Sequence, residues 1–262
     1  MHTDIARLDL RLRRRSIAWY AAGMAIYAII IVAIYPTVKS DSALEALAGD
    51  NPQMLALLGV TGSLTSATGW VSGNLYANFL PLLVLMLTIG YGAASFAGQS
   101  EDGTLGLVAT LPVSRRRLVL EKAAVLVLIA LPLAVVTMAC VYAGRNFDLD
   151  LSPSAVLGTT AAVVLLGMDF GLVALLTGVT TGNRGLALGL ASAVAAASYL
   201  IGSLAPVAGW AHTLRPVSLF YWAVGDDQLS TGPSAAAWAV LVLVGVGLLG
   251  ASLVTVDRLD IQ

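Results

Sequence analysis

The chain has 262 residues, of which 58% are hydrophobic and only 11% charged, and a mean hydropathy of +0.87, so water is excluded as its main solvent and a large extramembrane domain is excluded with it. A net charge of −1 makes no case for nucleic acid, the single cysteine Cys140 cannot form an intrachain disulfide, and two histidines at opposite ends, His2 and His212, argue against a protein-borne zinc site. A bilayer core of about 30 Å takes about 20 helical residues at about 1.5 Å each, so the length accommodates roughly six spans joined by short connections.

The first element is basic. Within residues 1–16, Ile5, Leu8 and Leu12 fall at helical spacing while Arg7, Arg11, Arg14 and Arg15 occupy the rest of the wheel, which predicts an amphipathic helix lying on the membrane face. Its arginines admit two readings, enforcement of topology or docking of a partner. Stretches free of Asp, Glu, Lys and Arg then mark what hydrocarbon accepts. They place a first span at 17–36, which is full length and lacks a small-residue cleavage signature, so it is expected to stay as an anchor. Further spans are predicted at 74–98, 118–143, 154–181, 186–205 and 234–256. In the long connection 37–73, Leu44, Leu47, Leu55 and Leu58 could form a short surface helix. Residues 206–233 carry Trp210, Arg215, Tyr221 and Trp222 and are interrupted by Pro216, which predicts short re-entrant or interfacial helices rather than a seventh span. β-Barrel strands would alternate in polarity; Ala239-Val240-Leu241-Val242-Leu243-Val244 is apolar on every face. The expected fold is an all-α integral membrane protein with one transmembrane domain over 1–262.

Basic residues set the orientation. Arg7, Arg11, Arg13, Arg14, Arg15, Arg115, Arg116, Arg117, Lys122, Arg184 and Arg258 fall on one side, against Lys39, Arg145 and Arg215 on the other. The excess marks the cytoplasmic side, so both termini are expected there.

The segment after the second span is the most informative. In Glu101 to Pro112 the acids suit the start of a short helix, Leu105, Val108 and Leu111 share one face, and Pro112 ends it. Ser114 can cap the next span, with Arg115 to Arg117 at headgroup level. A projecting helix of this kind is a knob for a soluble partner, whereas an ordinary tight loop needs no such pattern. The run Glu101-Asp102-Gly103-Thr104-Leu105, the turn Pro112-Val113-Ser114-Arg115 and the basic start of the following helix resemble the permease subunits of type-2 ABC transporters, the exporter group that includes bacterial drug and antibiotic-resistance permeases. The order of elements resembles theirs over nearly the whole chain.

That resemblance implies that 101–112 is a coupling helix seated in a separate nucleotide-binding subunit. Glu101, Asp102, Gly103, Thr104, Leu105, Val108, Pro112, Arg115 and Arg116 would form the coupling set, and Arg7, Leu8, Arg11, Leu12 and Arg14 of the N-terminal helix a second contact. It also implies a pair of permease chains meeting through helices 1 and 5, an outer segment before helix 6 that lines or gates the exit, and a bacterial plasma membrane. ATP and magnesium would sit on the partner ATPase, with no cofactor on this chain.

Absences in the sequence agree with an external ATPase. The lysines, Lys39 and Lys122, belong to no G-x-x-x-x-G-K-[ST] loop, and there is no G-x-S-x-G, no H-E-x-x-H and no complete intramembrane aspartyl-protease pattern around Gly225-Asp226. The competing class is an ion-coupled secondary transporter or channel, which needs ionisable residues inside the membrane, and only Asp169 qualifies. Asp169 admits substrate contact or gating, a buried packing hydrogen bond, or a misplaced helix boundary. Gly167/Gly171 and Gly185/Gly189 are each four apart and permit close helix approach, within the chain or, for Gly185 and Gly189 at the start of helix 5, across a dimer. Pro81 and Pro132 are expected to bend their helices. A largely apolar path without a charged pocket suits a hydrophobic or amphiphilic substrate such as a drug, lipid or peptide.

Overall fold

The computed structural model describes residues 4–40, 63–101, 114–225 and 227–257, and among them every regular element is helical. The expected coupling helix 101–112 and the surface helix at 42–58 lie outside the described residues, apart from Glu101.

The basic segment and the first span are not two helices. Helix α1, Asp4–Val38, is one uninterrupted run of 35 residues, about 52 Å long at about 1.5 Å per residue. The stretch before Gly23 has neither glycine nor proline and is rich in Arg, Leu and Ala, all strong helix formers, so nothing breaks it where the apolar run begins. The separate surface-lying helix expected at 1–16 is therefore corrected to an extension of the span itself.

Helix α2, Ala67–Gly98, starts well before the expected residue 74. Ser66 caps it, its Oγ accepting from the Gly69 amide at 3.0 Å. It alternates two windings, α over Ala67–Val71 and Leu80–Ala93 and π over Ser72–Phe79 and Ala94–Gly98, before a last turn at Gln99–Glu101. The first wide stretch precedes Pro81, which has no amide hydrogen to donate, and there the Leu80 amide reaches five residues back to the Leu75 carbonyl. Asn74 and Asn78 side-chain amides donate to the Trp70 and Gly73 carbonyls at 2.9 and 2.6 Å, filling acceptors that an ordinary winding would fill with backbone.

Ser114 caps α3, Arg115–Ala143, as expected, accepting from the Arg117 amide. Helices α4, Pro153–Thr181, and α5, Arg184–Leu204, are joined by a turn in which Gly182 is left-handed at φ 63° and Asn183 caps α5. Residues 205–234 fold as the broken segment anticipated from Trp210, Pro216 and Trp222: α6 Gly209–Leu214, a 3-10 turn Arg215–Val217, α7 Leu219–Val224 and α8 Gln228–Thr231. Helix α9, Ala235–Asp257, is the last element among the described residues. Among the described residues six helices, α1 to α5 and α9, are long and apolar enough to cross a membrane, which makes this an all-α, multi-pass membrane protein.

Helix α4 is the axis of the bundle, packed against α2, α3, α5 and α9, while α1 leans on α3. Small residues let the axis approach its neighbours: a Cβ at Gly92 of α2 would strike the Gly171 carbonyl of α4, and one at Gly171 would come 2.6 Å from Leu126 Cδ2 of α3. Gly167 and Gly171 therefore serve packing within the chain. At one end, Phe96, Val119, Leu175, Val179 and Val256 form a single cluster, so the end of α9 lies beside the start of α3, as does the start of α1. The start of α1 and the end of α9 thus share this basic end, and α6 to α8 lie at the opposite, distal end.

Candidate functional site

Because α1 leans on α3 and α5 on α4, the face of α2 between them is left uncovered, and a groove of about 820 Å³ runs along it. Tyr20 and Tyr27 of α1 form one wall, Ser192, Ala196 and Tyr199 of α5 the other, and Leu82, Met86 and Gly90 of α2 the floor. The π winding of α2 turns Asn74, Asn78 and Phe79 into the same space. The polar groups there are tied to one another: Tyr199 donates to Asn78 Oδ1 at 2.6 Å, Tyr27 donates to the Asn74 carbonyl at 3.4 Å, and Tyr27 stacks on Phe79 with ring centroids 3.9 Å apart. The groove is thus an aromatic and aliphatic surface with a few fixed hydrogen-bonding groups, the makeup of a site for apolar or amphiphilic molecules. None of the sequence-predicted site residues lines it. Its aromatic and amide residues were hidden in the sequence because they lie inside apolar runs, and only their polar heads against an otherwise aliphatic background could have drawn attention to them.

At the basic end a second cluster ties α1 to α2 and α3. Asp9 Oδ2 accepts from Tyr91 Oη at 2.6 Å and lies 3.8 Å from Lys122 Nζ. Arg13 sits over the Tyr91 ring at 5.0 Å, and Lys122 over the Phe96 ring at 5.4 Å. Glu121 completes the junction, pairing with Arg117 at 2.9 Å and accepting from the Ala6 amide at 3.4 Å. The inward face of the α1 extension is therefore Ala6, Asp9, Arg13 and Ile17, while Leu8 and Leu12 are 57% and 75% exposed. Sequence periodicity selected the apolar outer face; the packed face mixes Ala6 and Ile17 with Asp9 and Arg13, whose partners Tyr91 and Lys122 carry polar groups.

The predicted residues fall in separate places. Arg7, Arg11, Arg14, Arg115 and Arg116 are exposed around the basic end. Glu101, also exposed, accepts from the Arg184 backbone amide at 2.9 Å and so joins the end of α2 to the first turn of α5, where an anion favours the helix dipole. Asp102, Gly103, Thr104, Leu105, Val108 and Pro112 lie outside the described residues. Gly185 and Gly189 are exposed on α5; a Cβ at Gly189 would meet nothing within 4 Å and one at Gly185 only the capping Asn183 Oδ1 at 3.3 Å, so neither packs against another helix as Gly171 does. Asp169 is fully buried in α4, lies in neither the groove nor the cluster at the basic end, and has no hydrogen-bond partner among the described residues. It faces Gly245 of α9, where a Cβ would come 2.7 Å from its Oδ1. No group of three or more His, Cys, Asp or Glu residues that could hold a metal occurs among the described residues. Compared with known proteins, the chain matches no family model and no curated protein.

Proposed function

We propose that the chain is the transmembrane permease subunit of an ATP-driven exporter of the ABC type, moving a hydrophobic or amphiphilic substrate outward across a bacterial plasma membrane. The observation that carries this reading is the long groove between α1, α2 and α5: a continuous, mostly apolar surface with polar groups at Asn78 and Tyr199, exposed on the side of a multi-pass membrane protein. Pure lipid contact does not call for an amide and a tyrosine hydroxyl bonded to each other at that position. A second copy of the chain facing the groove would enclose it as a path between two sets of α1, α2 and α5, with Gly185 and Gly189 along the contact.

The energy source would be a separate ATPase, since the chain has no phosphate loop of its own. Its attachment is assigned to the Glu101-Asp102-Gly103-Thr104-Leu105 segment leaving α2 and to Arg7, Leu8, Arg11, Leu12 and Arg14 of the α1 extension. Glu101 bonds the start of α5 and α1 is anchored to α2 and α3, so a push at this end would be delivered to the helices that wall the groove. On this reading the basic end is cytoplasmic and α6 to α8 lie at the exit.

Mild-detergent purification of the tagged chain from its native host, with mass spectrometry of the eluate and an ATPase assay, tests the reading. A stoichiometric partner bearing a phosphate loop and hydrolysing ATP is expected, and Leu105→Asp is expected to lose that partner while inserting normally. Leu105 is a cleaner test than Glu101, whose replacement would also free the Arg184 amide. Recovery of the chain alone, with ion-gradient-driven flux after reconstitution, would replace this reading with a secondary transporter.

A further inference from the structure

The cluster at the basic end encloses a cavity of about 350 Å³ whose lining includes Asp9, Arg13, Tyr91, Gly98, Lys122 and Arg184. We propose that this cavity binds a phosphate group at the membrane surface, with Lys122, Arg13 and Arg184 as its cationic residues. The proposal is independent of what the chain transports.

Three observations converge on it. The charged residues of the lining are three cations and one anion, Asp9, so the cavity attracts negative charge even with every group ionised. Lys122 is 1% exposed, and its Nζ makes no hydrogen bond; the Asp9 carboxylate stands 3.8 Å away, and its Oδ2 already accepts from Tyr91 at 2.6 Å. A buried ammonium whose donors are unfilled is costly, and an oxyanion in the adjoining cavity would fill them. At Gly98 the wall is bare backbone: a Cβ there would touch only Ala94 Cβ and Arg184 Cδ, both at 3.6 Å, so the missing side chain keeps the cavity open beside the Arg184 stem.

Position selects the chemistry of the ligand. The cavity lies where the apolar runs of α2 and α3 end and where the exposed Arg11, Arg14, Arg15, Arg115 and Arg116 gather, which is headgroup level for a bilayer. A phosphate with a small ester substituent suits both the volume and the forked donors of Arg13 and Arg184. Two sources present that group here, an anionic phospholipid headgroup and free phosphate. They are told apart by whether acyl chains are needed.

The test uses the full-length protein in detergent, exposed to equal amounts of phosphatidylglycerol and phosphatidylcholine, with native mass spectrometry counting retained lipids. Inorganic phosphate and glycerol phosphate are added as soluble competitors. The wild-type chain is expected to keep one phosphatidylglycerol in preference to phosphatidylcholine. Lys122→Gln should weaken that retention by about tenfold, as expected for loss of one charge-assisted hydrogen bond. Gly98→Leu, which fills the cavity without removing a charge, should weaken it similarly and keeps the test valid if Lys122→Gln fails to fold. Asp9→Asn should strengthen retention by removing the competing carboxylate. Displacement by either soluble phosphate at matched concentration would assign the free ion; resistance to both would assign the lipid headgroup. Equal retention of the two lipids with no effect of soluble phosphate would overturn the proposal. So would weaker retention in Asp9→Asn, which would reduce Lys122 and Asp9 to an internal ion pair.

Discussion

Asp169 of α4 lies directly against the bare backbone of Gly245 in α9. The carboxyl is 0% exposed, without a hydrogen-bond partner among the described residues, and accommodated because α9 presents a glycine to it. An amide of the same shape fits the same space, so Asp169→Asn is expected to insert and assemble with stability changed by no more than about 1 kcal/mol. Gly245→Ala puts a methyl group 2.7 Å from Oδ1 and is expected to cost about 1–3 kcal/mol through overpacking. Part of that cost should be recovered in the double variant Asp169→Ala/Gly245→Ala, where the crowded oxygen is gone. Thermal unfolding of the wild type, Asp169→Ala, Gly245→Ala and the double variant in one detergent checks this, and purely additive losses would separate the two residues. Reconstituted transport by Asp169→Asn decides its other role: altered flux across a pH range supports gating, and unchanged flux leaves Asp169 a packing residue.

At the scale of the element, the junction between α1 and its neighbours is the feature that the sequence least disclosed. The spans themselves were legible because hydrophobic runs free of charge are set by the solvent, and the broken segment between α5 and α9 was legible because Pro216 and the tryptophans punctuate it. Continuity of α1 was not, because a change from basic to apolar composition looks like a boundary although no residue there breaks a helix. The π windings of α2 were hidden for a related reason: Pro81 announced an irregularity, but its resolution by Asn74 and Asn78 depends on side-chain bonds that spacing does not encode. Asp9 was equally inconspicuous among five nearby arginines, yet its bond to Tyr91 anchors the extension. Tyr91→Phe keeps the ring beneath Arg13 but removes a hydrogen bond to a carboxylate, which is worth about 1.5–3 kcal/mol. The extension is then expected to open locally, and trypsin cleavage at Arg11 to Arg15 to accelerate by about tenfold or more. Cleavage at the wild-type rate would mean that Glu121 and the packing of Ala6 and Ile17 hold α1 without Tyr91.

For the whole molecule, the consequential asymmetry is between the two sides of the bundle. Helix α4 is mostly buried, whereas α5 is covered only along Ala187, Ala191, Ala195 and Ser198 and leaves Gly185, Gly189, Ser192 and Ala196 exposed. Those four positions recur at helical spacing on one face, at the rim of the groove that Asn78 and Tyr199 make polar. In a two-copy arrangement with two-fold symmetry, residues near the axis meet their own counterparts. A cysteine at Ser192, in a chain whose natural Cys140 is replaced by serine, is therefore expected to form a disulfide-linked dimer under mild oxidation in native membranes. A cysteine at Val246 on α9, 60% exposed but on another helix, serves as the control and is expected to remain monomeric. Bulk at the same face should act in the opposite sense: Gly189→Leu meets nothing within the chain, so it should leave monomer stability within about 0.5 kcal/mol while lowering the dimer fraction. Cross-linking at Ser192 that Gly189→Leu suppresses would place α5 at the contact. Absence of cross-links at Ser192, Leu188 and Ala196, together with a monomer mass in detergent and in nanodiscs, would leave the groove facing lipid and withdraw the paired path.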